Sequence, residues 1–302
     1  MAQWKAISKG DLWNNNTGNY TIYCSDGTVN RDGTPVTDSE DETLYIREGD
    51  YIYFGEYPQT IKADNVSITS TTDSRGYFLG SDGHYYAKVT ATPRESDYKF
   101  SNEATVVNGE VYYFKVEPIK WRILTEESGK AFILCDSVIT SMSWDETSNS
   151  YPGSDIRAWL NDQFYNTAFT ELQQGVINIT TVDNSAESTL ISSPFDQENT
   201  NDKVFLLSLD EATNSEYGLG TDNDMVRQMK PSDYALAVST SIDQNGYSRW
   251  WTRSRYYGDV NNCHELVSTI APSGNWSYSD FNKYRVYDTY IGIVPAMWIT
   301  LN

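Results

Sequence analysis

A five-residue run, Ala131-Phe132-Ile133-Leu134-Cys135, has no polar side chain on either face, and it follows Pro118-Ile119-Lys120-Trp121-Arg122-Ile123-Leu124 across a turn at Glu127-Ser128-Gly129. Successive side chains of a strand point to opposite faces, so the alternating first segment offers one face to a core and one to water. The second segment has two apolar faces, and only a strand covered on both sides keeps them from water. The pair predicts a hairpin whose second arm lies centrally in a sheet.

Upstream, the aromatic alternation YIYFGEYPQT predicts a strand from Tyr51 that stops at Pro58, and the change of texture places a domain start near Tyr45. Residues 1–44 are rich in Asn, Thr, Gly, Asp and Ser and are read as a β-rich or attachment segment, their acidic run at 38–42 as a solvated loop. Residues 62–116 hold several β-like runs, with Ser81-Asp82-Gly83 and Asn108-Gly109 as hairpin turns, and form a hairpin-rich insertion. Downstream, Ile156, Trp159, Leu160 and Phe164 share one face of a helix capped by Ser154 or Asp155. Thr170 with Gln173 is a capping box for a core-facing helix carrying Leu172, Val176 and Ile177, and Ser208 with Glu211 is another for a helix over 209–214. Residues 203–207 are predicted as a strand and 225–237 as a further short helix broken at Pro231. The sum is an α+β class: a β-rich mixed domain over residues 45–302 with two or three short helices.

With 42 acidic residues against 22 basic ones, the formal charge is −20, which repels phosphate backbones and anionic headgroups. Neither nucleic acid nor a membrane surface is expected as a partner. No apolar run long enough to span a bilayer occurs, and the N-terminus MAQWKAISKGDLW lacks the apolar core of a secretory signal. Three widely spaced cysteines, at 24, 135 and 263, argue against a disulfide framework and against structural zinc.

A catalytic constellation does not assemble. His264 adjoins Cys263, yet neighbours on a strand point to opposite faces and cannot form the hydrogen bond that activates a thiol. Cys135 belongs to the core run. No nucleophile elbow, phosphate loop, dinucleotide fingerprint or metalloprotease spacing is present, so no catalytic or metal-ligating residues are assigned. Asp222, Asp224, Asp243, Asp259, Asp280 and Asp288 offer oxygens of the kind calcium takes, without a ligand spacing, so calcium stands as a possible cofactor and no other is expected. Arg253 sits in a block too apolar to leave it unpaired, which predicts a buried or stacked structural contact.

The stretch 250–301 differs from the rest. It opens on Trp250-Trp251-Thr252-Arg253-Ser254 and closes on the apolar 291–301, while between Arg255 and Tyr290 the types Tyr, Asn, Ser and Asp fill 17 of 36 positions and Lys and Glu occur once each. An ordinary solvated face uses Lys and Glu freely. Tyr supplies rigid contact area and small polar residues adaptable hydrogen bonds, the composition of a binding surface. The candidate ligand-binding residues are Tyr256, Tyr257, Asp259, Asn261, Asn262, His264, Asn275, Trp276, Tyr278, Asp280, Asn282, Tyr284, Tyr287, Asp288 and Tyr290. A tyrosine-rich sheet edge with polar turns would share the composition.

The series YFGEYPQT, PIKWRIL, IRAWLNDQFYNTAF, DKVFLLSLDEAT, WWTRS and GIVPAMWITL resembles, in order and spacing, a bacterial domain family of unknown function that is similar to the C-type lectin fold in its formylglycine-generating-enzyme-like branch. The resemblance covers residues 45–301 and implies a C-type-lectin-like domain in which the N- and C-terminal strands meet and the C-terminal segment forms long surface loops. Proteins that this family resembles include the variable proteins of diversity-generating retroelements, in which AAC codons of a C-terminal repeat are randomised at their adenines. Such codons reach Asn, Tyr, Ser, Asp, His and Cys but not Lys, Glu, Gln, Met or Trp. Residues 255–290 fit that pattern, Cys263-His264 included, whereas Glu265, Trp276 and Lys283 stand outside it. The family's usual WWLRSP and GVRPALW are here WWTRSR and GIVPAMW, so Val294 replaces an arginine whose role is not carried over.

The resemblance and the composition together predict a non-enzymatic recognition protein, located extracellularly, at a cell surface or on a virion, that binds a protein or glycan ligand of a cell or host surface. The blocks WWTRS and GIVPAMWITL are expected to be buried and fixed, with contacts coming from between them. The competing class is a formylglycine-generating-enzyme-like or carbohydrate-active enzyme, for which the three cysteines are not placed as a reactive pair or copper site. A calcium-dependent lectin is a third class, although the EPN, QPD and WND motifs are absent.

Overall fold

The computed structural model describes residues 21–24, 29–30, 43–190, 196–220, 224–256, 265–276 and 283–301. Among these, the strands β1 (Thr21–Cys24), β2 (Val29–Asn30), β3 (Thr43–Glu48), β4 (Tyr51–Ile61), β5 (Ile68–Thr72), β6 (Phe78–Gly80), β7 (Tyr85–Thr90), β8 (Val111–Glu127) and β9 (Lys130–Cys135) come first. β8 is the spine. One edge pairs with β4 from Phe114 to Arg122, and the other is shared, with β7 on residues 111–115 and β9 on residues 121–127.

The predicted hairpin is present, and its arms turn at Ser128 and Gly129, both at positive φ. All five residues of the run 131–135 are buried. The central position follows from pairing: β9 lies between β8 and the last strand described, β18 (Pro295–Thr300).

β4 does not stop at Pro58. It continues to Ile61, with Pro58 opposite Val116 and a register shift between Pro58 and Ile61, where a residue without an N–H is tolerated. A second shift, between Tyr53 and Glu56, surrounds Gly55 at φ +69°, and a Cβ there would lie 2.4 Å from the Phe169 ring. The bulge turns five consecutive residues, 54–58, out of solvent. Ser81-Asp82-Gly83 does join paired strands, β6 and β7, but Asn108-Gly109 does not: β7 pairs with β8 across the whole of residues 91–110.

Helices are short. Ser154 caps α1 (Asp155–Trp159), which runs through a π turn at Leu160–Phe164 into α2 (Tyr165–Ala168), so the single predicted helix is interrupted. Both capping boxes form, at α3 (Glu171–Gln174) and α4 (Leu209–Ala212). Of the three residues expected to face the core here, Ile177 is buried and Val176 packs against the core, both beyond the end of α3, but Leu172 is 45% exposed, while Gln173 is buried and donates to the Leu44 carbonyl at 3.1 Å. After Pro231, Ser232 caps α5 (Asp233–Ala237). None of these helices is long and apolar enough to cross a membrane.

Interleaved with the helices are β10 (Thr140–Ser141), β11 (Thr180–Val182), β12 (Thr200–Asp202), β13 (Phe205–Leu206), β14 (Trp250–Arg255), β15 (Leu266–Ile270), β16 (Lys283–Arg285) and β17 (Gly292–Ile293). The strand predicted over 203–207 is only β13. The larger sheet runs β13-β18-β9-β8-β4-β3-β1-β2, with β5, β6 and β7 branching from β8; a second runs β10-β17-β14-β15-β16; β11 and β12 pair alone. The N- and C-terminal strands therefore do not meet: β4, β8 and β9 stand between β3 and β18. The protein is β-rich with few short helices, compatible with the α+β class.

Four tryptophans, 121, 144, 250 and 251, are fully buried. Each indole N–H donates to a backbone carbonyl, of Phe54 (2.7 Å), Thr252 (3.1 Å), Arg227 (3.0 Å) and Met142 (3.0 Å) respectively. An indole buried without a partner would cost about 1–3 kcal/mol, so these bonds let the core use its largest side chains at fixed positions.

Candidate functional site

β14 is held from both sides. Trp250 pairs in parallel with Gly292, the Gly292 N–H donates to the Arg249 carbonyl at 2.9 Å, and Thr252 Oγ1 donates to the Ser268 carbonyl at 2.7 Å. Arg253 is 3% exposed. Its Nη1 donates to the Leu206 carbonyl at 2.7 Å and to Glu211, its Nη2 to Glu211 Oε1 at 3.1 Å and to the Asp183 carbonyl at 3.0 Å. It also lies 5.8 Å from the centre of the Phe205 ring. The expected contact is thus both buried and stacked. Burial alone would depress its pKa, yet the Glu211 carboxylate leaves it raised. Residues 250–254 are all buried, as expected of the first block, whereas the second is buried over 292–297 and at Ile299 but half-buried at Trp298 and Leu301 and exposed at Thr300.

The segment between the blocks is not one run of loops. β15 pairs with β14 and β16, and Val267 to Ala271 are buried. That run, Leu-Val-Ser-Thr-Ile, is rich in β-branched residues, and its propensity prevails over the polar surroundings.

Seven candidate residues are described. Tyr256 is 8% exposed, with Lys283 Nζ 4.7 Å from its ring centre. Tyr284 is half-buried under Arg249, whose guanidinium sits 4.5 Å from the ring centre, and it meets Tyr290 edge-on at 6.2 Å. Tyr290 in turn carries Arg94 at 4.1 Å. Tyr287 is 43% exposed, and Arg285 lies 5.6 Å from its ring and donates to its hydroxyl. Asp288 Oδ2 accepts from the Arg285 N–H at 3.1 Å, and burial raises the pKa of its carboxyl. The Asn275 carbonyl accepts from the Ala271 N–H at 2.9 Å, and Trp276 packs against the core. Tyr257, Asp259, Asn261, Asn262, His264, Tyr278, Asp280 and Asn282 lie outside the described residues, as does Cys263.

The result is a surface of tyrosine rings each covered by a cation. Such contacts are worth about 0.5–1 kcal/mol at exposed sites, enough to order Tyr284, Tyr287 and Tyr290 without burying them, whereas Tyr256 is buried as well. None of the four cations was among the candidates, and two of them, Arg249 and Arg94, lie outside 255–290 altogether. Arg249 directly precedes the Trp250 block, while Arg94 comes from a distant loop and left no local signal. Among the described residues no group of three or more His, Cys, Asp or Glu could hold a metal ion. Asp243 Oδ1 instead closes its own turn by accepting from the Asn245 and Tyr247 N–H groups, and burial pushes the Cys135 thiol up to about 12, too high for a nucleophile near neutrality.

A family model described as a domain of unknown function, DUF6273, matches residues 128–301, from the β8–β9 turn to the end of β18. No curated protein and no solved structure matches the chain.

Proposed function

The chain belongs to the DUF6273 family, whose function is unknown, and from that premise we propose that it is a non-enzymatic recognition protein with a diversified C-terminal surface. The observation that carries the reading is the pairing of Trp250 with Gly292. It sets the two ends of the intervening segment side by side in one sheet, so the sequence between them leaves and returns at a fixed gate. Loop-closure cost grows only slowly with length and depends little on composition, so such an excursion tolerates replacement of its surface residues. Tyr284, Tyr287, Asp288 and Tyr290 then supply contacts, together with the remaining candidates of 256–290.

On this reading the protein is the variable protein of a diversity-generating retroelement, acting at a cell surface, outside the cell or on a virion, and its ligand is a protein or glycan of a cell or host surface. The C-type-lectin-like assignment belongs to the same proposal. Motif order supports it, and the separation of β3 from β18 counts against it. The test is to sequence sibling genes with their flanking DNA. Variation concentrated at AAC-type codons within 255–290, beside a template repeat and a reverse transcriptase, is the expected result. Variation spread evenly along the chain overturns the reading.

A further inference from the structure

A cleft of about 360 Å³ opens between β4, the β6–β7 hairpin, the π turn and α5, and no residue of 255–290 lines it. Its size falls in the range of small-molecule sites. Tyr57 forms the floor, edge-on to Phe164 at 5.4 Å and to Tyr234 at 5.6 Å. One wall is Trp159, half-buried and stacked on Phe164 at 5.4 Å; the other is Tyr77, with the Arg75 guanidinium 4.9 Å from its ring centre. The π turn brings Gln163 to the rim and Phe164 to the floor, and single π turns within helices recur at functional sites.

The charges in the cleft are balanced before any ligand arrives. Arg75 Nε donates to Asp73 at 3.0 Å and Nη2 to Glu56 at 3.2 Å, while Nη1 has only a long contact of 3.5 Å to the Thr167 carbonyl. An anion drawn to Arg75 would meet two carboxylates beside it. A cation would meet Arg75 itself and Lys88. A wholly apolar ligand would desolvate the guanidinium and the Gln163 amide without replacing their hydrogen bonds to water. What fits aromatic walls with a neutralised planar donor and a rim amide is an uncharged ring with a C–H face and a girdle of hydroxyls.

We infer that this cleft binds a neutral pyranose unit, with its C–H face against Trp159 or Tyr77 and its hydroxyls on Arg75 and Gln163. The inference stands apart from the tyrosine surface and does not depend on it.

The experiment titrates the full chain with methyl glycosides of neutral hexoses and N-acetylhexosamines, using saturation-transfer difference NMR and calorimetry, with methyl glucuronide and choline as the charged arms. Gln163→Trp plugs the rim from an exposed position and is checked for an unchanged melting temperature. Tyr287→Ala reports on the other surface. The expected result is that at least one neutral glycoside binds the parent, binds at least tenfold more weakly to Gln163→Trp, and binds Tyr287→Ala as it does the parent. Failure of every neutral glycoside, equal affinity for Gln163→Trp, or binding of only methyl glucuronide or choline overturns the inference.

Discussion

Arg253 and Glu211 form a two-pronged ion pair across 42 residues of sequence, and the same Glu211 carboxylate closes a capping box by accepting from the Ser208 N–H at 3.0 Å. One side chain thus fixes a helix start and neutralises the cation buried between two sheets. Glu211→Gln keeps the cap but removes the charge, leaving Arg253 buried and unpaired. The expected cost is about 3 kcal/mol, read as a fall in the urea midpoint with unchanged slope.

Asp233, the first residue of α5, accepts from the Ile61 N–H at 2.9 Å, the Ser101 N–H at 2.7 Å and the Ser101 hydroxyl at 2.6 Å. It therefore pins the end of β4 and the loop around Ser101 to one helix. Asp233→Ala is expected to cost about 2 kcal/mol, since hydrogen bonds to a charged group are lost. Amide exchange at Ile61 and Ser101 should quicken while Trp250 and Trp251 stay protected.

Burial raises the Glu56 pKa from its ordinary value, outweighing the lowering by the neighbouring Arg75. Between the unfolded and the folded pKa the folded state holds a proton that the unfolded state has released. Stability from this group is present below the unfolded pKa and is lost as pH rises through the folded one. The parent should lose stability across that interval, and Glu56→Gln should show a shallower slope in urea titrations at successive pH values.

Gly55 and Gly49 separate backbone strain from crowding. Both have positive φ, but a Cβ on Gly49 meets nothing within 4 Å, whereas one on Gly55 meets Phe169 at 2.4 Å. Gly49→Ala should cost about 1 kcal/mol for the backbone alone and Gly55→Ala about 3 kcal/mol, because Phe169 must also move. Equal effects on thermal unfolding would show that Phe169 yields freely.

Exposure divides the tyrosines of the candidate surface. Tyr287→Ala should change stability by less than about 0.5 kcal/mol, and Tyr256→Ala, which empties a buried site, by about 3 kcal/mol. Matching melting temperatures for the two would contradict this division.

What the sequence made legible was local. Ser154, Thr170 and Ser208 cap helices through bonds spanning three residues, and the run 131–135 carries its own requirement for two covers. The misread elements turn on distant partners. Pro58 remains in its strand because Val116 accommodates a shifted register, and Leu172 faces outward because Gln173 has the Leu44 carbonyl to bond. Composition located the tyrosines of 255–290 but not the buried β15 among them, nor Arg94 above Tyr290, since neither a strand's neighbours nor a ring's cation is written nearby.

β18 occupies the slot between β9 and β13, so the larger sheet waits for residues 295–300. During synthesis the apolar β9 keeps one bare edge until 255–290 has been made and the chain has come back to Gly292, and such an edge recruits other chains. If the segment is diversified as proposed, its variants pass a folding filter first. On that reading, a variant slow to return would be lost to aggregation before meeting any partner, and folding speed would set the surviving repertoire ahead of affinity.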